Sequence, residues 1–244
     1  MGLNGLIDGL QIQLRDRGKK GLVILVDSLD RIVLNSLPGG RTSHSEVFID
    51  HADHLKAPRC HMVYTVPISL YFNQNLSSSY PADPILLPMI KVTERGGAPC
   101  RAALTQMAEA VRRRLDTGVL FEREEDVMDL CTASGGHLRD LMLLLRTAII
   151  SADERITPEH TRRAIVNLGT QYDRLVRDAD LPKLVEVHRD RRLPTDPEYA
   201  HLPYHLLVLE YRNGEPWADV HPAVQRIRKF EEALAASRLV TTSA

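Results

Sequence analysis

Leu22-Val23-Ile24-Leu25-Val26 runs without a break into Asp27-Ser28-Leu29-Asp30-Arg31, and this junction constrains the chain more than any other stretch. Val23, Ile24 and Val26 are β-branched and favour extended backbone. A continuous apolar run bounded by polar residues reads as a strand buried on both faces, as in a parallel sheet. Two carboxylates spaced i, i+3 then emerge at its C-terminal end, where open α/β sheets place their ligands. An aspartate fixed there can orient Mg²⁺ and its water shell beside a nucleoside triphosphate. The plainer role of Asp27 or Asp30 is to cap the helix that follows.

Further segments extend the pattern. His61-Met62-Val63-Tyr64-Thr65-Val66-Pro67 is a second apolar run, ending in a hydroxyl and a proline. Ile85 to Val92 reads as a third strand after a polar loop. Helical segments then carry Ser134-Gly135-Gly136-His137-Leu138-Arg139-Asp140. This order resembles the later half of an AAA+ or STAND-type P-loop ATPase: Walker B, sensor 1, last core strand, and a helical lid with sensor 2. The Asp-Ser-Leu-Asp-Arg form is most similar to the STAND and KAP branches and to origin-recognition-type initiators. The likeness covers roughly residues 3 to 170.

The resemblance implies an α/β fold with a partial parallel P-loop NTPase sheet, then a helical lid and a small winged-helix-like C-terminal module. The expected divisions are 1–97 for the second part of the ATPase core, 98–170 for the lid, and 171–244 for a helical linker and the winged-helix-like module. It implies ATP and Mg²⁺ as cofactors. Asp27 takes the metal role, Thr65 that of sensor 1, and Arg139 that of sensor 2, reaching the γ-phosphate. Ser28 stands where many AAA+ proteins carry the glutamate that polarises water, so Asp30 is the candidate carboxylate for that task. Arg31 reads as a trans-acting arginine or a surface residue at a helix start.

The chain departs from the family at one point. It contains no G-x-x-x-x-G-K-[ST]. Gly18-Lys19-Lys20-Gly21 lacks the Ser/Thr, and Pro38-Gly39-Gly40-Arg41-Thr42 has arginine in place of lysine and follows the Walker B-like run. The phosphate cradle supplies most triphosphate contacts. The expectation is therefore the C-terminal part of an ATPase that couples ATP binding and hydrolysis to conformational switching and is inactive alone. ATP would bind only with the missing P-loop portion. The alternative is a non-catalytic DNA- or protein-binding module on a degenerate ATPase scaffold.

Composition narrows the partners. A net charge of −1 over 244 residues gives no global pull toward nucleic acid or acidic membranes. Aromatic residues make up 5%, too few for a base-stacking surface. The three cysteines are scattered and odd in number, which suits free thiols and a cytoplasmic protein. No apolar run reaches the length of a membrane span. A protein partner or self-assembly is expected, with DNA as the other candidate through the C-terminal module, and no membrane.

Periodicity places the helices. Leu3, Leu6, Ile7, Leu10 and Leu14 define one over residues 3–17. Others are expected over Glu46–Leu55, Arg101–Leu115, Phe121–Ala133 and Leu138–Ile150, and another starts at Thr157-Pro158 with Thr157 as N-cap. Leu168–Arg192 reads as helical, with a break near Asp180-Leu181-Pro182. Asn213-Gly214 between two apolar runs predicts a hairpin with Tyr211 and Trp217 on its arms, and His221-Pro222 starts a last helix.

Two other patterns invite chemistry. His44, His51, His54, Cys60 and His61 suggest zinc, but match no zinc spacing and lack a Cys-x-x-Cys, so the polar face of a helix is preferred. Arg112-Arg113-Arg114 and Arg189, Arg191 and Arg192 are basic clusters that read as solvated helix faces.

Overall fold

In a computed structural model the described residues are 2–73, 75–212 and 214–242. The protein is mixed α/β and divides into two compact units. The first comprises Met1–Leu86 with Thr195–Ala200, and the second Leu87–Pro194 with His201–Ala244.

The first unit opens with α1 (Leu3–Asp16), continues through β1 (Val23–Val26), α2 (Ser43–Ser45), α3 (Ala52–Lys56) and β2 (His61–Tyr64), and ends with α4 (Ile68–Asn73). β1 and β2 pair in parallel, with Val23 opposite His61 and Val26 opposite Tyr64. A parallel pair needs a crossover, and residues 27–60 supply it through α2, a π-helical turn at Glu46–Asp50, and α3. The helix expected over 46–55 therefore forms, but with a break at His51. Thr42 caps α2: its hydroxyl accepts from the Ser45 amide, while the Ser45 hydroxyl accepts from the Thr42 amide. Phe48, Leu70 and Leu76 form the small core, joined by Leu29, Ile32, Leu55 and Val66.

Two strand expectations need correction. The β1 run is not buried on both faces: Val23 is 56% exposed, Leu25 73% and Val63 50%. The sheet has only two strands among the described residues, and only one face of each alternates toward the interior. Nor does Ile85–Val92 form a strand. Ile85 and Leu87 are almost fully exposed, and the Met89 amide donates to the Glu210 carbonyl at 3.0 Å. Apolar content alone could not choose between these pairings, because strand identity is settled by which edge is available.

The second unit is mostly helical. Its helices are α5 (Arg101–Arg112), α6 (Thr117–Leu120), α7 (Glu124–Ala133), α8 (Leu138–Ser151), α9 (Pro158–Asp173), α10 (Leu181–Asp190) and α11 (His201–Tyr204). β3 (Val208–Arg212) and β4 (Pro216–Val220) follow, then α12 (Pro222–Gln225) and α13 (Arg228–Thr242). The Thr157 hydroxyl accepts from the His160 amide and Pro158 occupies the first turn of α9, as its sequence requires. Val127, Leu130, Leu144 and Leu168, from α7, α8 and α9, are buried to 2% or less and form the helical core. Truncating one of these leucines to alanine costs about 2–5 kcal/mol.

β3 and β4 pair antiparallel, with Tyr211 opposite Trp217 and their rings stacked 4.4 Å apart. Of the Asn213-Gly214 turn, Asn213 lies outside the described residues, and Gly214 has φ +90°. The expected last helix starts at Pro222 but is divided, because α12 stops at Gln225 and α13 begins at Arg228.

Candidate functional site

The candidate site grows from the C-terminal ends of β1 and β2. The Thr65 amide donates to the Val26 carbonyl at 3.1 Å, so the ladder continues one step beyond Tyr64. Asp27 and Thr65 thus leave the sheet side by side. Ser28 then adopts a left-handed conformation, φ 67° and ψ 12°. For a residue with a Cβ this is costly by roughly 1–2 kcal/mol, and such strain clusters where structure serves function. The Ser28 amide donates to Asp27 Oδ1 at 2.7 Å, which steadies the turn. The turn swings Leu29 back, so its amide donates to Thr65 Oγ1 at 3.1 Å. The Thr65 hydroxyl in turn donates to Asp30 Oδ1 at 3.4 Å, a long contact. Asp30 and Arg31 sit in a single 3₁₀ turn, Leu29–Arg31.

Asp27 and Asp30 are exposed and Thr65 half-buried. Two carboxylates and a hydroxyl on one sheet edge can orient a hydrated divalent cation through water. Their chemistry fits that part of a Mg²⁺–nucleotide site. It does not fit the triphosphate: the edge presents no lysine and no loop of amides wrapped about an anion. No group of three or more His, Cys, Asp or Glu side chains able to hold a metal ion directly occurs among the described residues.

Arg139 belongs to the second unit, where it is exposed on the first turn of α8 and joins no ion pair among the described residues. The neighbouring Asp140 carboxylate is engaged elsewhere. Gly135 and Gly136, which precede it, have a packing reason to be glycine. Both have positive φ, +62° and +83°. A Cβ on Gly136 would lie 1.8 Å from the Ile90 carbonyl oxygen, and one on Gly135 2.5 Å from Leu209 Cδ1. The Tyr211 hydroxyl donates to the Gly135 carbonyl at 2.9 Å, pinning the hairpin to the same turn.

The histidines proposed for zinc are not gathered. His44 is fully buried between Ser69 Oγ at 3.0 Å and the Ile32 carbonyl at 2.7 Å. His51 and His54 stack on one another with centroids 5.4 Å apart. The Cys60 thiol faces the Met62 sulfur at 3.5 Å. Cys131 is buried, which pushes its thiol up to about 12 and leaves it unreactive.

Sequence reasoning missed a buried polar cluster around Asp140. Its Oδ2 accepts from the Tyr172 hydroxyl at 2.7 Å and lies 3.2 Å from His137 Nδ1 and 3.1 Å from His221 Nε2. The two imidazole contacts have poor hydrogen-bond alignment, so the tyrosine makes the one well-formed bond. Burial by itself would raise the Asp140 carboxyl, but the surrounding imidazoles and hydroxyl outweigh it and hold it below the usual carboxylate range. Burial, and then the Asp140 charge, push Tyr172 well above its ordinary value. His221 accepts from the Ala223 amide at Nδ1, stacks on Tyr172 at 4.4 Å, and is pushed down by burial. The cluster ties α8 to α9 and to the start of α12. His137 and Asp140 are three positions apart, but Tyr172 lies 32 positions from Asp140 and His221 further still, so no local pattern announces the cluster.

A similar knot surrounds Asp219, which takes His188 Nδ1 at 2.7 Å, the Arg191 guanidinium and Gln225 Nε2 at 3.2 Å. These groups neutralise one another and serve packing.

Comparison of the chain with protein-family models, with curated protein sequences and with solved structures returned no match.

Proposed function

We propose that this chain is the C-terminal part of an AAA+/STAND-type ATPase, which couples ATP binding and hydrolysis to conformational switching and is inactive without a P-loop. The observation that carries this reading is the parallel β1–β2 pair with Asp27, Asp30 and Thr65 joined at its C-terminal edge. In this reading Asp27 orients Mg²⁺ through water, Asp30 is the carboxylate nearest the reacting water, Thr65 reports the γ-phosphate, and Arg139 couples phosphate loss to the lid. The half-exposed apolar residues Val23, Leu25 and Val63 support an α/β core completed by further structure. Helices α5 to α9 stand for the lid, and α11, the β3–β4 hairpin and α12–α13 for the winged-helix-like module.

A weak half-site calls for a probe that detects weak occupancy. Mn²⁺ with ATP, titrated into ¹⁵N-labelled chain, is expected to broaden the amides of Asp27–Arg31 and Thr65 selectively, with Asp27→Asn abolishing the effect. Calorimetry with Mg-ATP is expected to show no micromolar binding, because the amides and lysine that hold phosphates are lacking. Uniform broadening, or broadening indifferent to Asp27→Asn, removes the reading. Micromolar binding lost in Asp27→Ala shows instead that another loop has taken the phosphate role.

The alternative is a non-catalytic module that binds DNA or protein. The hairpin favours protein over DNA: Tyr211 and Trp217 are buried, and Glu215 beside the turn pairs with Arg95 at 3.4 Å, leaving little positive field for phosphates.

A further inference from the structure

The geometry points to a docking groove for an acidic amphipathic helix of a protein partner, lying between the C-terminal ends of α5 and α8. Both helices pack on α7, which leaves a furrow between them. Val111 and Leu115 line one wall, and Met142 and Ile149 the other, around a depression of about 270 Å³. On α8, Met142, Arg146 and Ile149 are spaced i, i+4, i+7 and so share one face. That face is open: Met142 is 38% exposed, Ile149 37% and the adjoining Ile150 72%.

The rim carries charge without its complement. Arg114 and Arg146 border the depression, and neither joins an ion pair among the described residues. Their neighbours differ in this respect. Arg112 pairs with Glu124 and Arg113 with Glu109 at 3.4 Å. The carboxylate beside the rim, Asp116, is occupied in capping α6 through the Val119 amide at 3.2 Å. An apolar floor between two unneutralised guanidinium groups fits a helix with an apolar stripe and glutamates or aspartates on its flanks. Such a helix lays its ridge into the furrow and brings carboxylates within bidentate reach of Arg114 and Arg146. Duplex DNA would satisfy the arginines but leave Met142, Ile149 and Ile150 facing phosphate. A bilayer surface cannot follow a concave furrow. The inference does not depend on the ATPase reading.

The test is fluorescence anisotropy with the full chain and a fluorescein-labelled peptide of about five helical turns. Its leucines are placed at i, i+4, i+7 and i+11 with glutamates on both flanks; a second peptide carries lysines in place of the glutamates. The glutamate peptide is expected to bind at least about tenfold more tightly than the lysine peptide. Arg114→Glu with Arg146→Glu should invert that preference, and Ile149→Asp should weaken both peptides. Arg114→Gln with Arg146→Gln, a gentler pair, should weaken the glutamate peptide if the charge-reversed chain does not fold. Equal affinity for the two peptides, no binding of either, or binding indifferent to both arginine pairs overturns the proposal. Sedimentation with phosphatidylserine vesicles by a chain that ignores the glutamate peptide overturns it too, and assigns the face to a lipid surface.

Discussion

Tyr172 and Asp140 show how much one buried contact can carry. The phenol donates to a carboxylate inside the helical core, where a charge-assisted bond is worth about 1.5–3 kcal/mol. Tyr172→Phe is expected to lower the unfolding free energy by that amount, seen as a lower urea midpoint with an unchanged slope. A loss under about 0.5 kcal/mol would show that the cluster is slack. Three histidines, His221 in this cluster and His188 and His205 outside it, set a pH dependence. Burial lowers the pKa of His188, His205 and His221 in the folded chain, while each returns to about 6.5 on unfolding. Below that pH the unfolded chain binds more protons, so the contribution of these groups is complete above about pH 6.5 and is lost as pH falls through the lower folded values. Asp140, also depressed, adds a contribution present above about pH 4 and lost on further acidification. Urea midpoints measured from pH 7.5 down to 5 should therefore fall, and His221→Gln should flatten the slope. A midpoint that rises over this range contradicts the burial argument.

The elements depend on junctions as much as on their own periodicity. α7 and α8 are joined by Ser134-Gly135-Gly136, and that turn receives Ile90 on one side and Leu209 and Pro222 on the other. Gly136→Ala is expected to destabilise the chain by about 2–5 kcal/mol, combining a left-handed backbone with a methyl inside contact distance of a carbonyl. Gly96→Ala, with open space around its Cβ, should change the unfolding free energy by less than about 0.5 kcal/mol and serves as the comparison. Equal effects of the two substitutions would show that the turn can relax. The hairpin docks on the same turn through Tyr211, which is why its register matters beyond its own ladder.

For the molecule as a whole, the contrast between its two units is one of burial. The second unit has a continuous helical core, whereas the first leaves Leu3, Leu6 and Leu10 on one side of α1, and Leu25 on β1, about half or more exposed. Leu3, Leu6 and Leu10 recur on one face of α1, and an exposed apolar face of this kind marks a site that another surface covers. The native chain is expected to bind a hydrophobic dye. Leu3→Gln, Leu6→Gln, Leu10→Gln and Leu25→Lys together should quench that signal while changing the unfolding free energy by less than about 2 kcal/mol, since each site is already exposed. A larger loss of stability would mean that these side chains support the fold. No helix among the described residues is long and apolar enough to cross a membrane.

Local patterns carried the helices and the hairpin. The apolar stripe of α5, the Thr157-Pro158 start of α9, and the alternation around Asn213-Gly214 all depend on neighbours within a few positions, and short-range sterics and capping decide them. The pairing of β1 with β2 was legible too, because two runs with polar ends and a helical crossover admit few arrangements. What only the tertiary structure decided was burial and distant partnership. Val23 and Leu25 have the composition of a core strand, yet they face outward because no further layer covers them. Ile85–Val92 has the composition of a strand, yet Met89 pairs with the β3 backbone instead of extending the sheet. Asp140 follows Arg139 in the chain, but the helix directs it inward to Tyr172 and His221, partners that no neighbouring residue announces. A side chain's environment is a sum over residues far away in sequence, and no window along the chain contains that sum.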